Sequence, residues 1–466
     1  MRASAETGLR LTPGTILLAT GSDGVLLHCR APVAAYVPPA AMDWAARGAA
    51  VPAEHEAAYA RCLEAWRSAG LLEGTAPQNV AGAGPSRAGV SRALPAVDRP
   101  VLVIVSSPGC GYCLHLRADL EANREALARL DASVLLVGDG SPTAWGARPA
   151  PGRAEELAEA WADVARPGTP SAVLLAPAPG GSPRFLRGFD AVTAALIELG
   201  GGDPGRTVSE VPTSCSATVG AGPVDVLVTV HARGRAVGVA ARGPGPVSVV
   251  AGLVAEESAP GGDTGYVPVT LRVERPRNVW LIFRGGELVA RSRSAGETLS
   301  LLRRITAGFG PPEGHQSRLL CGALVHTGGR AVLVPRNWLS HFVVRSSLLA
   351  RSGWRPCPDP YVLLETAPGP DPHDARPVLV HPSPAGIPQR TPVTAVLAQP
   401  PDRPRPAAHA RGRALAAIVN WLARPVTPQQ LREAYALLSG LPVHLGTREE
   451  SAAFLTAAAT DAEAPS

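Results

Sequence analysis

Cys110-Gly111-Tyr112-Cys113 is the grouping in this chain best suited to chemistry. Two thiols separated by two residues meet across one helical turn, where they can form and break a disulfide. The apolar run Val101-Leu-Val-Ile-Val105 reads as a buried strand, and Leu114 to Leu130 reads as a helix. A strand that ends just before the pair and a helix that opens at it put the first sulfur at a helix N-terminus. Unpaired N–H groups and the positive end of the helix dipole stabilise a thiolate there. Cys110 is therefore the expected attacking thiol and Cys113, one turn in, the expected resolving thiol. Two other uses of the pair stay open at this point: half of a zinc site, or a structural disulfide. Closed zinc sites take four ligands, usually from two such pairs. Cys29, Cys62, Cys215, Cys321 and Cys357 stand singly, and His115 alone does not complete a set.

A second grouping, Pro167-Gly-Thr-Pro-Ser171, precedes the strand-like Ala172-Val-Leu-Leu175. Arg184-Phe-Leu-Arg-Gly188 then reads as a hairpin strand that leads into a last helix. Together with Ser106-Ser-Pro-Gly-Cys-Gly-Tyr-Cys113, these pieces make residues 99–201 resemble a thioredoxin-like domain of the TlpA and MauD type. The resemblance implies a cis peptide at Thr169–Pro170 facing the dithiol, with Gly111, Tyr112, Thr169 and Pro170 supporting Cys110 and Cys113. X–Pro is the one kind of peptide bond where cis costs little. The chain departs from the family at two places. Gly109 stands where the family often has Trp. Ile104 stands where thioredoxins proper carry a buried proton-relaying acid, which implies slow exchange by Cys113.

The elements that must position this pair belong to a long chain. At 466 residues, two to four domains are expected, and a hydrophobic content of 45% is enough to build their cores. All 44 residues of the Lys+Arg count are Arg. Schiff-base chemistry, a lysine nucleophile and a phosphate-loop lysine are thereby excluded. A net charge of +5 with no dense basic run gives nucleic-acid binding no support. Seven cysteines, odd in number and irregularly spaced, argue against a secreted disulfide framework. Residues 1–8 lack the apolar core of a signal peptide, and residues 16–29 are too short and too interrupted to span a bilayer. The expectation is a cytoplasmic protein with no membrane partner and no cofactor. The TlpA and MauD relatives normally work outside the membrane, so their maturation role transfers less directly. His28, His55, His326 and His409 are isolated and read as packed or exposed histidines, and Glu155-Glu156 and Glu449-Glu450 as solvated helix faces.

Residues 8–74 read as a small unit. Ile16-Leu-Leu-Ala19 and Val25-Leu-Leu-His-Cys29 are short strands joined by Gly21-Ser-Asp-Gly24, and Glu54 to Ala69 is a helix. Strands, then helix, then the closing Ser68-Ala-Gly-Leu-Leu-Glu73 resemble the PqqD-like peptide-recognition fold, a small sheet on a winged-helix-like trio. That resemblance implies capture of a precursor's leader peptide as an added edge strand. Residues 75–98, rich in Gly, Ala, Pro and Ser, read as a linker.

From residue 208 to 460 the pattern is again α/β. Strands are expected at Val224–Val230, Val269–Val273, Val279–Phe283 and Gly286–Ala290, and helices at Ala295–Thr306 and Ala414–Leu422. Gly328-Gly-Arg-Ala-Val-Leu-Val-Pro335, then Leu348-Leu-Ala-Arg-Ser-Gly-Trp354, then Tyr361-Val-Leu-Leu-Glu365 resemble an HPr-kinase-like domain found with peptide natural-product clusters. The phosphate loop does not follow the family. Phe342 stands for its lysine, Val343 for its hydroxyl and His341 for its last glycine. A cradle for phosphate needs those groups, so the domain is expected neither to bind nucleotide nor to act as a kinase, with Asp359 left over from the family's metal-binding acid. The Pro-rich stretch 368–410 reads as a long exposed loop or a poorly ordered insert.

The fold class is thus α/β and α+β in several domains. The function these resemblances imply is accessory: maturation of a ribosomally synthesised, post-translationally modified peptide. The partners would be a leader-bearing precursor and a peptide-modifying enzyme, and Cys110 and Cys113 would carry out thiol–disulfide exchange. The alternatives are a general cytoplasmic dithiol oxidoreductase and a non-catalytic scaffold.

Overall fold

The computed structural model describes residues 11–19, 23–29, 34–47, 60–64, 66, 71–72, 97–107, 109–138, 142–147, 156, 170–177, 183–210, 224–257, 265–310, 317–359, 361–367, 376–382, 388–399, 418, 421–422 and 427–461. It is a mixed α/β chain that divides into two compact units. The first comprises Met1–Val80, Pro312–Cys357 and Tyr361–Ser466. The second comprises Ala81–Pro311 and Pro358–Pro360. The division runs through the span 208–460: its first hundred residues go with the dithiol segment, and the remainder, Pro358–Pro360 apart, goes with the N-terminal strands.

In the first unit, β1 (Thr15–Ala19), β2 (Gly24–His28) and β3 (Ala34–Val37) form an antiparallel sheet in that order. Both β1 and β2 fall where the sequence places them. Alternation sends Leu26 and Val37 toward α1 (Met42–Arg47), Trp66 and Leu71. Ile16, Leu18, Val25 and Leu27 face the other way, into a core shared with Leu319, Leu333, Leu364 and Leu379. The N-terminal sheet therefore packs a small core of its own on one face and joins the larger core on the other. Most of the expected helix 54–69, and the linker 75–98 apart from residues 97–98, lie outside the described residues.

The second unit holds two five-stranded sheets. In the first, β4 (Val101–Val105), β5 (Ser133–Val137), β6 (Thr143–Gly146), β7 (Ser171–Leu175) and β8 (Arg184–Arg187) lie in the order β6-β5-β4-β7-β8. Only β4 and β5 are parallel; the other neighbours are antiparallel. Residues Val101 to Ile104 are buried on both faces, as a continuous apolar run at the centre of a sheet requires. Three helices have described bounds in this part: α2 (Gly111–Ala122), α3 (Arg124–Ala128) and α4 (Phe189–Leu199). Leu116, Leu120, Leu127, Val192 and Leu196 from them pack on Leu102 and Ile104. The single helix expected over 114–130 is broken at Asn123, which caps both α2 and α3.

The other sheet has the order β13-β12-β11-β10-β9. Its strands are β9 (Val226–Ala232), β10 (Arg235–Ala241), β11 (Val269–Glu274), β12 (Trp280–Arg284) and β13 (Glu287–Ser292). Arg233 and Gly234 both take positive φ (48° and 82°) and make a two-residue hairpin turn whose twist matches the strands. Helix α5 (Pro244–Glu257) crosses over to place β11 parallel to β10, and α6 (Ala295–Ala307) packs beside it. Four strands and α6 match the sequence expectation within a few residues. On β11, Leu271 and Val273 alternate with Thr270 and Arg272, so the strand presents one polar face.

The rest of the first unit is an eight-stranded sheet. It contains β14 (Ser317–Leu319), β15 (Gly322–His326), β16 (Arg330–Val334), β17 (Trp354–Cys357), β18 (Val362–Ala367), β19 (Arg376–Pro382), β20 (Pro388–Ala398) and β21 (Val443–Leu445). Helices α7 (Leu339–Val344), α8 (Ser346–Arg351), α9 (Pro428–Ser439) and α10 (Arg448–Asp461) accompany it. The described parts of the Pro-rich stretch correct the loop expectation, since β19 and β20 lie inside the sheet. Their prolines occupy tolerant places. Pro382 faces Pro388 at the end of the β19–β20 pairing, and Pro392 precedes Val393, where pairing with β16 begins. Of the helix expected at 414–422, only residues 418, 421 and 422 are described.

Candidate functional site: the dithiol at the start of helix α2

The sheet order explains how the pair is held. β4 ends at Val105, opposite Ser171 at the start of β7. The chain leaves β4, and Ser106 donates its N–H to Val137 O at 2.7 Å, which anchors the departing loop to β5. Cys110 then becomes the N-cap of α2, in an extended conformation (φ −94°, ψ 112°). Its sulfur accepts the backbone N–H of Cys113 at 3.4 Å. That N–H is one of the donors a helix start leaves without an internal partner, and here it points at sulfur. Cys110 is partly exposed and Cys113 is buried, and the two are not joined as a disulfide.

Gly111 is buried and Tyr112 half-buried on the same turn. The Tyr112 ring lies 6.3 Å from that of Phe189 at the start of α4. Pro170 is buried directly before β7, and its carbonyl accepts the N–H of Gly188 at 2.9 Å. Pairing of Val105 with Ser171 puts Pro170 at the same end of the sheet as the dithiol. Thr169 lies outside the described residues. The structure thus gathers Cys110, Gly111, Tyr112, Cys113 and Pro170 around one end of one sheet.

The sequence reading missed a buried polar row along the same helix. His115, Asp119 and Asn123 recur every four residues on α2 and its cap, a spacing that could have revealed it. His115 Nε2 lies 3.8 Å from Asp119 Oδ2, and the His115 ring is 5.6 Å from Phe189. Burial, helped by the positive charge of Arg272, lowers the His115 pKa to about 4. Burial raises the Asp119 carboxyl well above its ordinary value, although the Val269 N–H bonded to it and Arg272 pull the other way. Burial thus disfavours the charged form of both members of the pair. Asn123 closes the row: its amide donates to Val267 O at 2.9 Å and accepts from Val267 N at 3.0 Å.

The position of the expected phosphate loop is filled. After β16 the chain makes a single turn at Arg336–Trp338 and enters α7. Trp338, Leu339, Phe342 and Val343 are buried, with Phe342 completely enclosed among Leu324, Val334 and Trp354. Asp359, expected as a leftover metal-binding acid, instead faces arginines within the second unit. Arg304 Nε lies 3.8 Å from its carboxyl, and Arg284 donates to its carbonyl at 3.1 Å. Among the described residues, no cluster of three or more His, Cys, Asp or Glu is arranged to hold a metal ion, and no helix is long and apolar enough to cross a membrane. No protein-family model, curated protein or solved structure matches the chain.

Proposed function

We propose that the chain is a thiol–disulfide exchange protein that works on a peptide substrate, with Cys110 as nucleophile and Cys113 as resolving thiol. One observation carries the reading: a partly exposed sulfur caps a twelve-residue helix and accepts a backbone N–H from the buried partner cysteine. A thiolate on Cys110 keeps that hydrogen bond and gains from the helix dipole. In the reaction, Cys110 attacks a substrate disulfide and forms a mixed disulfide as one substrate thiolate leaves. Cys113 then attacks Cys110, releases the second substrate thiol and leaves the Cys110–Cys113 disulfide. Two electrons pass from the dithiol to the substrate. The strand order β5-β4-β7-β8, with a helix after β4 and another after β8, supports the thioredoxin-like reading of residues 99–201.

The peptide setting is maturation of a ribosomally made precursor, with the unit at residues 8–74 holding the leader. Its support is β3, a terminal strand of a three-stranded sheet, able to accept an added strand. Because β1 and β2 share their core with the C-terminal sheet, the test uses the full chain. Full-length protein is titrated with fluorescent leader peptides from the neighbouring genes, and disulfide reduction is compared for leader-bearing and leaderless substrates. Binding tighter than about 100 μM, roughly 5.5 kcal/mol, together with faster reduction of the leader-bearing substrate, supports the reading. Equal reduction of ordinary protein disulfides without leader binding replaces it with a general oxidoreductase.

A further inference from the structure

The face of α2 that carries His115, Asp119 and Asn123 is turned toward the second sheet of its own unit. Asn123 grips the backbone of Val267, the Asp119 carboxyl takes the Val269 N–H, and the Tyr266 ring sits in the core beside Leu116 and Leu120. His115, Asp119 and Tyr266 are each at least nine-tenths buried (9%, 1% and 1% exposed). His115 Nε2, Asp119 Oδ2 and the Tyr266 hydroxyl are all without a hydrogen-bond partner at full burial. Such atoms are costly unless neutral or bridged.

We propose that His115, Asp119 and Tyr266 form a buried proton-holding cluster that clamps the dithiol helix onto β11 and releases it as the proton is lost, so that access to Cys113 rises with pH. The functional meaning of the clamp rests on the dithiol reading; its proton balance does not.

The other charged groups around the cluster are few. From β11, Arg272 approaches Asp119, with its Nε 3.0 Å from Glu274. Arg242, just after β10, adds positive charge near Arg272. Helix α4 contributes the Phe189 ring, followed by Asp190, whose carboxyl is itself pushed up by burial. Burial and the nearby Asp119 hold the Tyr266 hydroxyl in its neutral form.

The proton count has a definite shape. In the unfolded chain Asp119 titrates at about 3.8 and His115 at about 6.5. Folding raises the first and lowers the second to about 4. The lowered His115 adds stability as pH rises from about 4 to 6.5, whereas the raised Asp119 removes it as pH rises from about 3.8 through its folded value. The two effects oppose each other below about 6.5; any slope above it comes from Asp119 and weakens the clamp, by at most about tenfold per pH unit.

The test follows alkylation of Cys113 by mass spectrometry in the full chain carrying Cys110→Ser, from pH 5 to 9. Asp119→Asn, a neutral isostere, serves as the reference, and the ratio of the two rates cancels thiolate chemistry. The ratio is expected to climb with pH, by at most about tenfold per unit. Parallel profiles for the two chains overturn the proposal. His115→Gln gives an independent reading that survives if Asp119→Asn does not fold. His115, whose lowered pKa offsets Asp119 below about pH 6.5, is then gone, so the rise in Cys113 reactivity should begin at lower pH than in the chain that keeps it, and an unchanged onset overturns the proposal. A shifted onset in a chain that reduces no disulfide would keep the clamp and remove the oxidoreductase.

Discussion

At the end of β4 the chain turns through Ser106, Ser107 and Gly109 into α2; at the end of β16 it turns through Pro335 to Trp338 into α7. Both are strand-to-helix junctions, the kind of place where backbone N–H groups are left to meet a ligand. At the first, a polarisable sulfur takes one of those groups and stays partly exposed. At the second, large side chains close the space, and Phe342 and Leu339 are fully buried. Helix length differs as well: α2 has 12 residues and α7 has 6. A longer helix delivers its full dipole to its N-terminus, whereas a helix of fewer than two turns has little to deliver. Junction geometry alone therefore does not make a site. What counts is whether the residue at the cap leaves the helix end open and chemically usable.

The most severe way to break this contrast is to remove the sulfur. Cys110→Ser should bring disulfide reduction down to the uncatalysed background. Cys113→Ser should still attack but stall as a mixed disulfide, seen as a covalent adduct by mass spectrometry under non-reducing conditions. In the unaltered chain, alkylation at pH 6 to 7 should label Cys110 before Cys113, because the one is partly exposed and the other buried. Equal or reversed labelling would exchange their roles.

The next largest effect probes the filled junction. Phe342→Ala should cost about 3–5 kcal/mol, as for other fully buried aromatics, and slow-exchanging amides of α7 should lose their protection. Phe342→Lys restores the charge type a phosphate loop uses, yet it buries an unpaired ammonium and should destabilise further. Neither the native chain nor this variant should bind Mg-ATP. Charge-assisted contacts contribute about 1.5–3 kcal/mol each, so lacking two of them weakens binding by roughly a hundredfold or more. A micromolar dissociation constant by calorimetry would show that the second junction is open after all.

How far the sequence foretold these features follows from the range of the forces involved. β4, β9, β11, β12, β13 and α6 are written in local apolar patterns and turn residues, and they appear close to where those patterns put them. Cys110 at a helix start was legible for the same reason, because a cap is a local event. The shared core of Ile16 and Leu27 with Leu333 and Leu379 was not, since it joins residues some three hundred positions apart. β19 and β20 were hidden by proline density, although Val378, Val380, Val393 and Ala395 carry strand alternation between the prolines. The His115–Asp119 pair escaped because a polar residue on a helix reads as solvent-facing until the second sheet that covers it is known.

The smallest predicted effect sharpens the open junction. Gly109 is exposed, and a Cβ built on it meets nothing within 4 Å. Its φ is not in the left-handed region that would demand glycine. The position is therefore free of the two constraints that usually keep a glycine, and its flexibility lowers stability only through the unfolded chain. Gly109→Ala should raise stability by about 0.4–1 kcal/mol, measured by urea unfolding. It should leave the Cys110 alkylation rate within about twofold, because the N-cap bond from the Cys113 N–H does not involve residue 109. A Gly109→Trp change has the same open space at its Cβ and tests what bulk does there. If it slows reduction of a peptide disulfide while Cys110 alkylation by a small reagent is unchanged, the approach to the sulfur is lined by residue 109. If both rates fall together, the loop before α2 is less open than its geometry indicates, and the contrast with the filled junction after β16 narrows.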